Sequence, residues 1–193
     1  SSWFCKDNKK KIKIPNIAFG TYYFIIFAYI CKLNLYKKYA TRMKRILDIS
    51  YEHYDSITEL AECDRNLVAE AEAATATANA PYSHFHVGAA VRLKSGRTLH
   101  ASNFESEVYP AGLCAERSLL FYVEANFADD AIEALAIASN PSERECYPCG
   151  QCRQVIVDVE RRQKSPIRVI MSGAGTATVV DSAEKLLPFT FKL

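Results

Sequence analysis

The chain lacks a stretch long enough to span a bilayer. Its main apolar run, Ile17 to Cys31 (IAFGTYYFIIFAYIC), has 15 residues, whereas a crossing helix needs about 20. It lacks an even set of cysteines: seven occur, at 5, 31, 63, 114, 146, 149 and 152, and four of them fall between Cys114 and Cys152. A secreted disulfide framework would spread an even set through a small, loop-rich chain. Clustering in a chain of 193 residues points instead to a reducing compartment and to metal binding. There is also little net charge, +2 over the whole chain. That total conceals two segments. Residues 1–42 carry nine Lys/Arg against one acid, Asp7, a net of +8, and the rest carries 15 against 21, a net of −6. A uniformly basic nucleic-acid binder is excluded, and so, for the larger part, is an intrinsically disordered chain.

Residues 1–42 hold ten of the 22 aromatics, and basic KKKIK at 9–13 precedes the apolar run. That order resembles a signal peptide, but no small-residue cleavage site of the A-x-A kind follows it. Met43 is one of two methionines, and MKRILDISYEHYDSITEL reads as the start of an ordinary soluble protein. The composition before it is that of a translated AT-rich non-coding stretch. The expectation is an upstream extension over 1–42 and one domain over 43–193; a membrane or signal segment is the alternative. Residues 43–193 show no repeat, low-complexity tract or linker.

From Ser50, Ile57, Leu60, Ala61, Leu67, Val68 and Ala71 recur at helical spacing, predicting a helix that runs to about Ala80 and is ended by Pro81. His86–Leu93 predicts a strand, Ser95-Gly96 a hairpin turn and Thr98–Ser102 the returning strand. Helices are expected over Gly112–Glu124 and Gly150–Arg162, with a buried strand at Ile132–Ala138 between them. Ile167–Met171 and Thr178–Val180 follow as strands, then a short helix at Ala183–Leu187. Strands alternating with helices argue for an α/β sheet covered by helices.

The chemistry concentrates in Cys114-Ala-Glu116 and, 35 residues on, Pro148-Cys-Gly-Gln-Cys152, each opening a predicted helix. Cys149 and Cys152 share a helix face, so both can ligate one ion. With Cys114 they give zinc three ligands and leave a fourth position open, the pattern of a catalytic site. Helix N-termini favour thiolate, because the free N–H groups and the dipole stabilise negative charge. Three thiolates leave the site at a formal −1, which Arg117 or Arg153 could offset. Glu116 is placed to carry protons. Cys146 keeps a second arrangement open, a closed four-cysteine structural site. His84 and His86 flank Phe85 beside a strand and are read as structural.

These motifs resemble the cytidine deaminase family, whose related signature is a zinc held by one His and two Cys or by three Cys, with a non-ligand Glu. Pro81-Tyr-Ser-His-Phe-His-Val-Gly-Ala-Ala90, Ser102-Asn-Phe-Glu105, Tyr109-Pro-Ala-Gly-Leu-Cys-Ala-Glu-Arg117, Pro148-Cys-Gly-Gln-Cys-Arg-Gln154 and Leu186-Leu-Pro-Phe-Thr-Phe191 match family segments in order and spacing. The match spans residues 50–191 and none of 1–42. The resemblance implies a three-layer α/β/α sandwich with a mixed central sheet. It implies one zinc ion per subunit on Cys114, Cys149 and Cys152, as in the small homotetrameric branch, with Glu116 as proton shuttle. Ala115 would meet the pyrimidine through its backbone, and Phe85 would pack on the base. Asn103 and Glu105 would hold the ribose 3′-hydroxyl. Arg117 would donate to the thiolates, and Phe191 would reach a neighbouring subunit's site. Ser-Glu-Val after Glu105, where relatives often have Asn-Ala, and an end two residues past Phe191 without a Gly-Pro tail depart from the pattern.

The reaction so implied is hydrolysis of cytidine and 2′-deoxycytidine to uridine and 2′-deoxyuridine in pyrimidine salvage. The expected setting is the cytoplasm, with a free nucleoside as partner, no nucleic acid, and no membrane for the catalytic domain. A carboxylate at the ribose would repel phosphate, and the −6 of residues 43–193 fits a small substrate. A polynucleotide enzyme using residues 1–42 as a basic arm, a deaminase of another nucleoside-like compound, and a non-enzymatic four-cysteine zinc module are the competing readings.

Overall fold

A computed structural model describes residues 44–191 together with Ile26, Ala28, Tyr29 and Lys32. The chain divides into two units, residues 1–47 and 48–193. In the first, Ile26, Ala28, Tyr29 and Lys32 are helical and exposed. Met43 and the remainder of the apolar run lie outside the described residues, as does the expected extension for the most part. No helix among the described residues is long and apolar enough to cross a membrane.

The second unit is a six-stranded sheet. Its strands are β1 (Glu52–Tyr54), β2 (His86–Leu93), β3 (Thr98–Ser102), β4 (Ile132–Asn140), β5 (Arg168–Gly173) and β6 (Thr176–Val180), in the order β1-β6-β5-β4-β2-β3. Only the β4–β5 pair is parallel. That connection is the one a helix must cross, because parallel neighbours cannot be joined by a tight turn. The helices are α1 (Glu62–Ala74), α2 (Ala115–Asn126) and α3 (Gly150–Gln163).

Alternation along the central strands sorts side chains by size between the two faces. On β4, Leu135 and Ile137 point to one side, with Ala134, Ala136 and Ala138 on the other. The alanine face, completed by Ala90, Ile170, Ala177 and Val179, receives Leu67, Val68 and Ala71 of α1. Small residues let that helix come close. At Gly88 a Cβ would stand 2.0 Å from the Ala71 carbonyl oxygen, so only glycine fits. The opposite face, with Val91, Leu93, Val169 and Met171, is covered by Leu119, Leu120 and Val123 of α2 and by Ile156, Val157 and Val159 of α3. The result is the α/β/α sandwich with a mixed sheet that the motifs implied.

Two elements differ from the sequence reading. The first helix is shorter: it starts at Glu62 after a 3-10 turn at Ile57–Glu59, and another 3-10 turn follows at Thr75–Thr77. Ser56 caps the first turn, accepting from the Thr58 N–H at 3.2 Å. At the far end the Thr75 and Thr77 hydroxyls donate to the carbonyls of Glu72 (2.7 Å) and Ala74 (3.0 Å). Such local bonds compete with helix propagation. Strand β1 was not expected at all. Three residues, Glu-His-Tyr, carry too little pattern, and pairing with β6 defines them.

Candidate active site

Two helix N-termini converge beside the sheet. Cys114 is the N-cap of α2 and Cys149 the N-cap of α3, neither making a side-chain capping bond. Cys152 follows on the first turn of α3 and is fully buried. The Sγ–Sγ separations are 3.8 Å for Cys114–Cys149 and 3.5 Å for Cys149–Cys152, and all three sulfurs lie within 4.8 Å of one another. Such a triangle can hold one tetrahedral ion. Among the described residues it is the group of three or more ligating side chains that can do so, and Cys146 is not in it. Burial pushes the Cys146 thiol up to about 11, which keeps it protonated.

Charge at the triangle is asymmetric. Hydrogen bonding with Cys152 first, and with Arg117 next, holds Cys114 down to about 5 against the effect of burial. Cys152, sharing that bond as donor, is pushed well up. Arg117 Nη2 donates to Cys114 Sγ at 3.6 Å. Arg153, the other cation suggested by sequence, serves elsewhere. Its Nε donates to the Pro148 carbonyl at 2.9 Å and its Nη1 to the Leu186 carbonyl at 3.3 Å, which fastens the loop ahead of Cys149.

Glu116 sits on the first turn of α2 and is 3% exposed. Burial pushes its carboxyl up to about 7, and its Oε2 is buried without a partner among the described residues. An unsatisfied buried carboxyl oxygen costs free energy, so its persistence indicates a partner supplied by what binds there. The chemistry of the set fits zinc, with three sulfur donors, an open position and a carboxyl beside it.

Cys114, Glu116, Arg117 and Cys149 line a cavity of about 380 Å³ together with Phe85, Asn103, Glu105 and Tyr147, and Cys152 lies behind that lining. Asn103 is fixed by the neighbouring loop: its Oδ1 accepts from the Val87 N–H at 2.8 Å and its Nδ2 donates to the Phe85 carbonyl at 3.0 Å. Glu105 Oε2 accepts from the N–H groups of Tyr82 (2.9 Å) and Ser83 (3.2 Å), and Oε1 accepts from the Ser83 hydroxyl. Ala115 is fully buried between Cys114 and Glu116. Phe191, 68% exposed, is not among the residues lining the cavity. Tyr82 and Tyr109, packed edge to face with centroids 6.3 Å apart, also line it. No spacing signal in the sequence marks that pair or Tyr147.

Three thiols that can hold one metal ion, with a buried carboxyl beside them at a cavity in an α/β/α sandwich, fit a metal-dependent hydrolase. Residues 61–165 match the family described as the cytidine and deoxycytidylate deaminase zinc-binding region. The chain belongs to that family. It is similar to the cytidine deaminase of Halalkalibacterium halodurans, 38% identical over 48% of this chain and 69% of that one. In structure it is similar to cytidine deaminase from Burkholderia pseudomallei, with 34% identity, a TM-score of 0.59, and coverage of 68% of this chain and 100% of the other. Cytidine deaminase from Mycobacterium tuberculosis gives 28% identity and a TM-score of 0.55, covering 69% of this chain and all of that one.

Proposed function

We propose that the chain hydrolyses cytidine and 2′-deoxycytidine to uridine and 2′-deoxyuridine with release of ammonia, a pyrimidine-salvage step. The observation that carries this reading is the buried Glu116 carboxyl, its Oε2 without a partner among the described residues, which lines the cavity together with Cys114 and Cys149 of the three-thiol triangle. Cys114, Cys149 and Cys152 would hold zinc, which when bound supplies a Lewis acid that activates the attacking water. Glu116, with its carboxyl near 7, can move two protons in turn. It would take one from the attacking water and pass it to the ring nitrogen beside the reacting carbon, then take the second from the same oxygen and pass it to the departing amine, which leaves as ammonia. Arg117 offsets the negative charge of the thiolates. Phe85 packs against the base, the Ala115 backbone meets its edge, and Asn103 with Glu105 takes the ribose 3′-hydroxyl. The Glu105 carboxylate disfavours a phosphate there, which supports a free nucleoside as substrate.

The domain assigned to this activity is residues 43–193, in a cytoplasmic enzyme. We infer a homotetramer in which Phe191, exposed here, reaches the site of a neighbouring subunit. The test is a spectrophotometric assay on cytidine, 2′-deoxycytidine and CMP, with wild type beside Glu116→Ala. Turnover of both nucleosides, little turnover of CMP and loss of activity in the variant are expected. Zinc-loaded protein that turns over neither nucleoside, or full activity in the variant, overturns the reading.

A further inference from the structure

We propose that Ser83 is a positioning residue that couples the ribose end of the nucleoside site to its base end, an inference that rests on assigning Glu105 and Phe85 to those ends. One hydroxyl touches both. Ser83 Oγ donates to Glu105 Oε1 and accepts from the Phe85 N–H at 3.1 Å. A single rotor thus sets where the carboxylate stands relative to the aromatic ring. Hydrogen bonding to Ser83 is also the first cause of the Glu105 carboxyl being held below the usual carboxylate range. The carboxylate oxygen it contacts retains a second lone pair, which leaves Oε1 able to accept from a ribose hydroxyl.

Bonds other than those of this hydroxyl also hold the segment around Ser83. The His84 N–H donates to the Ala80 carbonyl at 3.0 Å, and Asn103 ties the Phe85 carbonyl and the Val87 N–H. The Tyr82 and Ser83 N–H groups reach Glu105 Oε2 independently of the side chain. Between Ser83 and Phe85 the chain turns through His84 at φ +55°, a left-handed conformation that is costly for a residue with a Cβ. The surrounding bonds hold that turn. Removing the Ser83 hydroxyl leaves those bonds, severs the link from Glu105 Oε1 to Phe85, and frees the N–H of the exposed Phe85 to solvent. Ser83 is exposed and lines the cavity, so no core packing goes with it.

The test is a double-mutant cycle on cytidine kinetics with zinc-loaded protein. Ser83→Ala should raise KM about tenfold, the scale of one charge-assisted hydrogen bond, with kcat within about threefold of wild type. Ser83→Thr, which keeps the hydroxyl, should return KM toward wild type. Because Ser83 acts through Glu105, adding Ser83→Ala to Glu105→Ala should raise KM less than about twofold further. An unchanged KM in Ser83→Ala overturns the proposal, as does a full tenfold effect on the Glu105→Ala background. A fallen unfolding midpoint in Ser83→Ala, unrescued by threonine, marks the role as structural and also overturns it. An unchanged KM in Glu105→Ala alone overturns the ribose assignment itself, and is distinguished by leaving the zinc- and Glu116-dependent turnover intact.

Discussion

Arg117 donates to the thiol of Cys114 from one turn further along α2, at 3.6 Å, while its own Nε is buried without a partner among the described residues. A guanidinium is held there against a desolvation cost, and the compensating interaction is with negative sulfur. Three thiolates around a divalent cation leave a net −1, which weakens binding of further electron density. The cation at Arg117 relieves that.

Arg117→Ala should therefore weaken zinc binding by about tenfold to a hundredfold, the usual effect of losing a partner of a metal ligand. Competition with a chromogenic chelator measures it. Arg117→Lys keeps the charge without the planar fork and should recover part of the loss. Equal affinity in all three proteins would show that the contact does not tune the site.

Cys146→Ser should retain zinc at one equivalent per chain. The Cys146 thiol lies outside the sulfur triangle, so the substitution leaves all three ligating positions in place. Metal analysis after dialysis checks this. Loss of zinc in the serine variant would favour the closed four-cysteine site and a structural role for the metal.

Much of the site is legible in sequence because its chemistry is local to two helix starts. Cys149 and Cys152 share a helix face by spacing alone, and Cys114-Ala-Glu116 fixes a thiol and a carboxyl on one turn. The sheet is legible where a short apolar run marks a strand buried on both faces, as in Ile132–Ala138. What sequence could not show depends on partners far along the chain. Strand β1 exists through its pairing with β6, from Glu52 opposite Val179 to Tyr54 opposite Ala177. Arg153 directly follows a motif cysteine, yet the Pro148 and Leu186 carbonyls decide where its guanidinium points. The helix after Ser50 is overrun by periodicity because Thr75 and Thr77 end it through hydrogen bonds that periodicity does not encode.

Asp64 carries a prediction about the fold. It is 4% exposed on α1, and its carboxylate pairs with Arg92 of β2 at 3.2 Å and Arg168 of β5 at 2.9 Å. Asp64→Ala leaves two partly buried cations without that anion. Each arginine is partly exposed and keeps a second carboxylate, so the loss is that of charged hydrogen bonds, about 1.5–3 kcal/mol, and not that of a fully buried pair. Urea denaturation should show a loss on that scale, with KM for cytidine unchanged because Asp64 does not line the cavity. A loss too small to measure would mean that Glu133 and Glu52, the remaining partners of the two arginines, suffice.

Glu145 gives the pH dependence. Its carboxylate accepts from Thr176 at 2.9 Å, Thr178 at 3.0 Å and the Tyr147 hydroxyl, with His53 Nδ1 at 3.3 Å. The loop it anchors carries Cys146, Tyr147 and Cys149, and crosses Gly173 so closely that a Cβ there would stand 1.9 Å from the Arg144 carbonyl oxygen. Burial pushes the carboxyl up, but the hydrogen bonds from Tyr147, Thr176 and Thr178 outweigh it and leave it below the ordinary range. A carboxyl depressed in the folded state binds fewer protons there than in the unfolded chain. Its stabilisation is therefore complete above the unfolded value of 4.5 and fades as pH falls through the lower folded value. Glu145→Gln, which cannot ionise, should unfold at lower temperature than wild type at pH 7, and the gap should close as the pH is lowered below 4.5. Thermal unfolding of both proteins across that range measures it, and a gap that stays constant or widens in acid would exclude the ionised carboxylate as the anchor.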